Sequence, residues 1–216
     1  MTMLNRVLLF DLDNTLYPPE RELFDLIDVR INRFMIDQVG IPAEAVDGLR
    51  REYWAAYGVT LQGLIRHHGV DPEDYLHYVH DVDVTSRLSP DPLLRTMLGS
   101  LPQRKAVFTN GSSCHAERVL AALGIADQFE AVFDIRVANY LPKPYPAPYQ
   151  AVLAALGSAA ADCAMIEDSR ENLRTAKELG MATVLVGAGA TPEYVDLHLP
   201  DVRALGAALQ PTEAVS

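Results

Sequence analysis

Short apolar runs that stop on polar residues recur along this chain, with helically periodic stretches between them, and this alternation constrains the fold more than any other feature. Residues 6–13 (RVLLFDLD) read as the first strand, and 105–111 (KAVFTNG), 131–137 (AVFDIRV), 163–169 (CAMIEDS) and 182–187 (ATVLVG) read as four more. Helices are predicted near 113–123, 145–156 and 170–179, each ending close to a glycine, Gly124, Gly157 or Gly180, as helices commonly do. Strand, helix, strand repeats with short links give an α/β fold: an open, doubly wound parallel sheet covered by helices.

One segment breaks the rhythm. From Leu16 to about Leu88 no comparable strand occurs, but amphipathic helical patterns do. Leu23, Phe24, Ile27, Ile31, Phe34 and Met35 fall three and four apart, so one face of that helix is apolar. Pro42 starts a second helix, and Asp71 with Pro72 and the acidic residues after it opens another, Asp71 being the N-cap. The expected division is a core of residues 1–15 and 89–216 carrying an inserted all-helical domain, 16–88. The turn-rich SPDP at 89–92 leads back to the core, and 210–216 is expected to be a loose tail.

In open α/β sheets, ligands bind beyond the carboxyl ends of the strands. There the first run ends on Asp11 and Asp13, the second on Thr109, Asn110 and Gly111, and the fourth on Glu167, Asp168 and Ser169, while Lys143 and Pro144 follow the third. Residues two apart on a strand point to the same side, so Asp11 and Asp13 can face one bound group. Three or four carboxylates in one pocket repel each other unless a cation lies among them, and hard oxygen ligands select Mg²⁺, the expected cofactor. A phosphate dianion would meet the metal, the Lys143 ammonium, the Thr109 hydroxyl and the amides of the TNGSS turn. One aspartate could attack phosphorus while the other protonates the departing oxygen.

Charge bears on partners. The formal net charge of −11 disfavours nucleic acid and anionic membrane surfaces; a small anionic substrate stays open where the pocket supplies local positive charge, and the expected partner is the small phosphate ester that the pocket residues would meet. Only three lysines stand against fifteen arginines. Lys105 precedes a strand and Lys177 sits inside a helix, which leaves Lys143 for the pocket. Cys114 and Cys163 lie 49 residues apart in no ligand pattern, so both are expected to be reduced thiols. The apolar run Val7–Phe10 is too short for a signal-peptide core or a membrane span, and the expected location is the cytoplasm.

DLDNT, TNG, KP and EDS, in this order and spacing, resemble the four motifs of the haloacid dehalogenase superfamily, and the helical insert resembles its C1-type cap. Within the superfamily, FDLDNTLYP, YGVTLQGLIRHHGV with the following DYLHYVHD, and EDSRENL resemble the pyrimidine 5'-nucleotidase branch. The resemblance implies a Rossmann-like core and Mg²⁺-dependent hydrolysis of a phosphate monoester, of UMP or CMP type, through an aspartyl-phosphate. It makes Asp11 the nucleophile and Asp13 the acid that protonates the leaving group and later activates water. Asp11, the Asp13 backbone carbonyl and Asp168 would hold Mg²⁺, with Glu167 as a further ligand. Thr109, Asn110 and Gly111 would bind phosphoryl oxygens, and Lys143 would offset charge between Asp11 and phosphate.

Other readings share parts of this pattern. A phosphatase for a sugar phosphate or a phosphoglycolate-type ester, or a phosphomutase, would keep all four motifs. A 2-haloacid dehalogenase needs neither Mg²⁺ nor a second acid, so Asp13, Glu167 and Asp168 count against it. A phosphonate hydrolase of the superfamily needs a cap lysine, and residues 16–88 contain none. A non-catalytic binding module is disfavoured by the intact Asp11, Asp13, Lys143 and Asp168. Tyr57, Arg66, His67 and His68 are the candidate substrate contacts in the insert. His77 and His80 read as surface or helix-packing residues, at least two of Tyr53, Trp54 and Tyr57 as core packing, and Cys114 as a bystander.

Overall fold

Alternation along β1 (Val7–Phe10) sends Leu8 and Phe10 to one face of a sheet and Val7 and Leu9 to the other, and all four are buried. A strand apolar on both faces needs cover on both. In the computed structural model, which describes residues 6–209, β1 lies at the centre of a six-stranded parallel sheet. Its neighbours are β2 (Arg104–Phe108) and β4 (Cys163–Glu167); β3 (Ala131–Phe133) flanks β2, and β5 (Ala182–Val186) and β6 (Leu197–Leu199) flank β4. The order 3-2-1-4-5-6 is that of a doubly wound α/β fold whose connections reverse beside β1, so the carboxyl ends of β1, β2 and β4 open onto one crevice.

Each face has its own core. Leu8, Phe10, Val107 and Ile166 pack with α5 (Pro92–Ser100), α6 (Ser113–Leu123) and α9 (Leu205–Leu209). Val7, Leu9, Phe108 and Met165 pack with α7 (Pro146–Leu156) and α8 (Arg170–Glu178). Burying each such side chain stabilises the fold by roughly 1.5–3 kcal/mol relative to exposure. Gly124 and Gly157, at φ 71° and 61°, close α6 and α7 in the left-handed conformation that a glycine adopts without a Cβ clash.

Four α-helices lie between β1 and α5 in the chain: α1 (Leu23–Asp37), α2 (Ala43–Tyr57), α3 (Thr60–His68) and α4 (Pro72–Val79). They surround a third apolar cluster that includes Ile27, Phe34, Met35, Tyr53, Leu64 and Tyr75. Asp71 caps α4 as anticipated, accepting hydrogen bonds from the Glu73 and Asp74 amides at 2.8 and 3.2 Å. This layer meets the sheet side through the 3₁₀ turn Ile135–Ala138, whose Ile135 enters the helical cluster. Arg136 donates to Glu73 through Nε and Nη2, each at 2.7 Å, and Gln62 Nε2 donates to the Tyr140 carbonyl at 2.7 Å. Among the described residues no helix is long and apolar enough to cross a membrane.

Three expectations need correction. The predicted strand at 131–137 stops at Phe133, because the Asp134 carboxylate accepts from the Arg136 amide at 2.9 Å and the Ser113 amide at 2.8 Å and turns the chain out of the ladder. Phe24 does not join the apolar face of α1: it is 38 % exposed, since its neighbour Leu23 takes the buried position. The sheet gains β6, and the return to it gains α5, opened by Asp91 as N-cap with Pro92 at its first position; a three-residue strand carries too short a pattern to be read from sequence. The predicted tail at 210–216 lies outside the described residues.

Candidate active site

At the end of β1 the backbone still pairs with β4, the Asp11 amide donating to the Ile166 carbonyl at 2.9 Å, so the Asp11 side chain emerges at the mouth of the crevice. The loop after the 3₁₀ turn brings Lys143 to it. Lys143 is almost completely buried, and its Nζ donates to Asp11 Oδ1 at 2.7 Å, Glu167 Oε2 at 2.7 Å and the Phe108 carbonyl at 2.8 Å. All three donor positions of the ammonium are filled.

The expected phosphate-binding residues divide. Asn110 clasps the Lys143 backbone, its Oδ1 accepting from the Lys143 amide at 2.8 Å and its Nδ2 donating to the Lys143 carbonyl at 3.0 Å. That side chain is committed to positioning the lysine, so the expected contact of Asn110 with a phosphoryl oxygen would fall to its backbone amide. Thr109 Oγ1 accepts from the Gly111 amide at 2.9 Å, which leaves its own hydroxyl hydrogen available to a ligand.

Asp11, Glu167 and Asp168 each place one oxygen within 4.8 Å of the other two. Glu167 is further fixed by Asn172 Nδ2 at 3.0 Å and the Ser169 amide at 3.2 Å. Burial, with Glu167 nearby, raises the Asp11 carboxyl to about 7 despite Lys143. Burial likewise raises Glu167 to about 7, again only partly offset by Lys143, and raises Asp168. Burial opposes the charge on Lys143, but the two carboxylates beside it outweigh this and hold its pKa above the ordinary value. One ammonium faces three carboxyl groups that resist ionising together, and the donor set is all hard oxygen, so the residues fit a divalent cation such as Mg²⁺.

Asp13 belongs to a different set of contacts, and its carboxylate lies outside that cluster. Its Oδ1 accepts from the Tyr17 hydroxyl and from His115 Nε2, the latter at 2.8 Å. Burial alone would raise this carboxyl, but the His115 imidazole and the two hydrogen bonds outweigh it and hold Asp13 below its ordinary value. Sequence reasoning passed over both partners. Tyr17 was legible as the residue four after Asp13, whereas His115 lies 102 residues away and nothing in its own segment points to Asp13.

A cavity of about 630 Å³ runs from Asp11, Asp13, Thr109, Lys143 and Asp168 to the underside of the helical layer. Phe24, Arg50, Trp54 and Tyr75 of the helical layer line it, and His80 lines it beside Gly111. The four expected contacts in the insert are not there. Tyr57, Arg66, His67 and His68 cluster elsewhere on α2 and α3: the Tyr57 hydroxyl pairs with His67 Nε2 at 2.8 Å, and the Arg66 guanidinium lies 4.9 Å from the Tyr57 ring. His68 Nε2 pairs with the Tyr53 hydroxyl at 2.9 Å. The buried face of α3 is Thr60 to Leu64, so its last turn projects outward. Tyr53 and the half-buried Tyr57 pack with the helical cluster, while Trp54 is 62 % exposed and turned to the cavity. His77 is exposed, whereas His80 is buried against the sheet side, hydrogen-bonded to Ser112 at 3.2 Å, with burial pushing its pKa down to about 4. Cys114 is exposed and outside the cavity.

The sequence model of the family described as "Hydrolase: haloacid dehalogenase-like hydrolase" matches residues 6–180. The chain is similar to "Phosphate metabolism protein 8" of Saccharomyces cerevisiae, 29 % identical over 197 residues that cover 83 % of this chain and 61 % of the yeast protein. It therefore spans only about three fifths of that relative's length. It is also similar to a phosphoglycolate phosphatase of Pectobacterium atrosepticum, 30 % identical over 216 residues, covering 91 % of this chain and 87 % of that one. The solved structure of L-2-haloacid dehalogenase from Xanthobacter autotrophicus, with chloropropionic acid covalently bound, superimposes with a TM-score of 0.63 over 96 % of this chain and 99 % of that one. At 19 % identity that likeness speaks to the fold alone.

Proposed function

Because the chain belongs to the haloacid dehalogenase-like hydrolases, we propose that it is a phosphomonoesterase in which Asp11 carries the phosphoryl group, with a pyrimidine nucleoside 5'-monophosphate as preferred substrate. The observation that carries this reading is the pair of carboxylates held in opposite ways: Asp11 on a shared ammonium beside two further carboxylates, and Asp13 on the Tyr17 hydroxyl and His115 Nε2 apart from them. A dehalogenase reaction would leave the second carboxylate and the acidic cluster without a task.

Asp11 attacks phosphorus, and the bond from phosphorus to the ester oxygen breaks as that oxygen takes a proton from Asp13. Asp13 rests as a carboxylate, and a phosphate dianion entering beside it favours its protonated form. After the alcohol leaves, Asp13 takes a proton from water, whose oxygen attacks the aspartyl-phosphate and frees Asp11 and inorganic phosphate. Lys143 fixes Asp11 and offsets charge, Thr109 donates to a phosphoryl oxygen, and Asn110 holds the lysine loop in place. Asp11, Glu167 and Asp168, with the Asp13 backbone carbonyl that the resemblance implies, would hold Mg²⁺, which would supply neutralisation of phosphoryl charge. Residues 16–88 act as the cap that excludes water and reads the leaving group.

The cavity wall supports a nucleoside over a second anionic group. Phe24, Trp54 and Tyr75 offer aromatic faces, and the wall's arginine, Arg50, is already bound to Asp28 at 2.5 Å and Asn32 at 2.8 Å. A carboxylate such as that of phosphoglycolate would meet, among the described lining residues, only an arginine and a lysine already paired with carboxylates, with the buried Arg50 Nε alone lacking a partner. The test is phosphate release with Mg²⁺ from UMP, CMP, phosphoglycolate and sugar phosphates. Turnover of UMP and CMP above the rest supports the reading; efficient turnover of phosphoglycolate or a sugar phosphate with UMP and CMP ignored removes the nucleotide assignment and leaves the phosphatase. Full activity in Asp11→Asn would overturn the mechanism itself.

A further inference from the structure

His115 is fully buried and sits in the first turn of α6, yet it spends its Nε2 on Asp13. Its Nδ1 has no hydrogen-bond partner, so the Asp13 contact is the one that the ring's placement satisfies. The ring is fixed by packing instead. His80, the residue that ends α4 of the helical layer, stacks on it with centroids 4.8 Å apart and planes inclined by 24°. His80 is in turn held by Ser112 at 3.2 Å and by the Leu76 carbonyl at 2.9 Å from Nδ1, and Arg118 donates to the His80 carbonyl. The stack presses on the turn at Gly111, where an added Cβ would lie 3.4 Å from His80 Nε2, 3.6 Å from His115 Cδ2 and 3.3 Å from Thr109 Oγ1.

Both donors to Asp13 use the same oxygen. Tyr17 and His115 converge on Oδ1, and no donor among the described residues takes Oδ2. A carboxylate pinned at one oxygen presents the other in a fixed direction, and Asp13 lines the cavity.

We propose that His115, braced by His80, is the positioning residue that pins Asp13 Oδ1 and thereby reserves Oδ2 for proton exchange with the leaving oxygen. Because His80 belongs to the helical layer and His115 to the sheet side, the stack also makes the placement of Asp13 depend on how that layer is seated. The proposal rests on the reading of Asp13 as acid and base given above.

The test exploits leaving groups. An alkyl phosphate needs its departing oxygen protonated, whereas p-nitrophenyl phosphate expels a stable phenolate and hardly does. The readout is the ratio of kcat/KM for UMP to kcat/KM for p-nitrophenyl phosphate, in which the fraction of folded enzyme cancels. His115→Leu is expected to lower this ratio by at least about tenfold, within the range that loss of positioned acid catalysis produces. His115→Gln, which can return an N–H near the position of Nε2, is expected to recover most of it, and His80→Ala to fall between. An unchanged ratio in His115→Leu, or one that His115→Gln fails to recover, overturns the proposal. Asp13→Asn separates the two levels: if it lowers the ratio and His115→Leu does not, only the His115 assignment falls. If Asp13→Asn leaves the ratio untouched, the acid role falls first and the positioning role with it.

Discussion

Replacing Asp11 by asparagine should abolish turnover and yet make the metal-free protein more stable. A carboxyl that keeps its proton until about 7 in the fold but has an ordinary value of 3.8 contributes stability that is fully present below 3.8 and is lost as pH rises through about 7. At roughly 1.4 kcal/mol per tenfold difference in proton affinity, the loss reaches about 4 kcal/mol by about pH 8. At about pH 5 the unfolded chain has already ionised while the folded site still holds its proton, and only about 2 kcal/mol has gone. Asparagine has no charge to bury and keeps an Oδ1 acceptor for Lys143. Asp11→Asn should therefore exceed the wild type by up to about 4 kcal/mol at about pH 8 in EDTA, on the order of 10 °C in Tm for a chain of this size. The advantage should shrink to about 2 kcal/mol at about pH 5. His80 works in the opposite sense, its pKa of about 4 against an ordinary 6.5 adding stability as pH climbs to 6.5. Both proteins carry His80, so its contribution cancels in the comparison. Mg²⁺ should then stabilise the wild type more than the variant, because the cation answers the charge that asparagine lacks. Urea or thermal unfolding at the two pH values, with EDTA and then with Mg²⁺, reads all of this. A variant no more stable than the wild type at about pH 8 in EDTA would refute the charge-crowding argument.

Three further outcomes follow from neighbouring contacts. Lys143→Met leaves Asp11 and Glu167 without their shared cation and should destabilise the EDTA-treated protein by about 3–5 kcal/mol in urea unfolding above neutral pH; unchanged stability would mean that the ammonium does not hold the cluster together. Trp54→Ala should raise KM for UMP by roughly tenfold with kcat within about twofold, the pattern of lost ground-state binding, and an unaltered KM would remove Trp54 from the substrate wall. Glu73→Gln weakens the exposed contact of α4 with Arg136 and Tyr140, and should shift unfolding by less than about 1 kcal/mol while raising KM, since the pair seats the helical layer rather than holding up the fold. Equal KM in that variant would separate the salt bridge from cap seating.

The strands, their order of occurrence and the carboxylates at their ends were legible in the sequence for a local reason. Alternation within four or five residues decides whether a strand can be buried on both faces, and β1, β2, β4 and β5 state this plainly. Asp11, Thr109, Lys143 and Glu167 with Asp168 could be placed together because a parallel sheet delivers all its strand ends to one edge. What each side chain does with its atoms was decided elsewhere. Asn110 lies next to Thr109 in the sequence but turns both its amide atoms to residue 143. Tyr57, Arg66, His67 and His68 have the chemistry to meet a substrate, but the end of α2 and the exposed last turn of α3 hold them outside the cavity lining. Asp13 Oδ1 is held by Tyr17 and by a histidine 102 residues distant, and that histidine stacks on the ring of His80 at the end of α4. Spacing along a chain fixes what one element can present; which groups meet across elements depends on packing angles that no local pattern records, and only the tertiary structure supplies them.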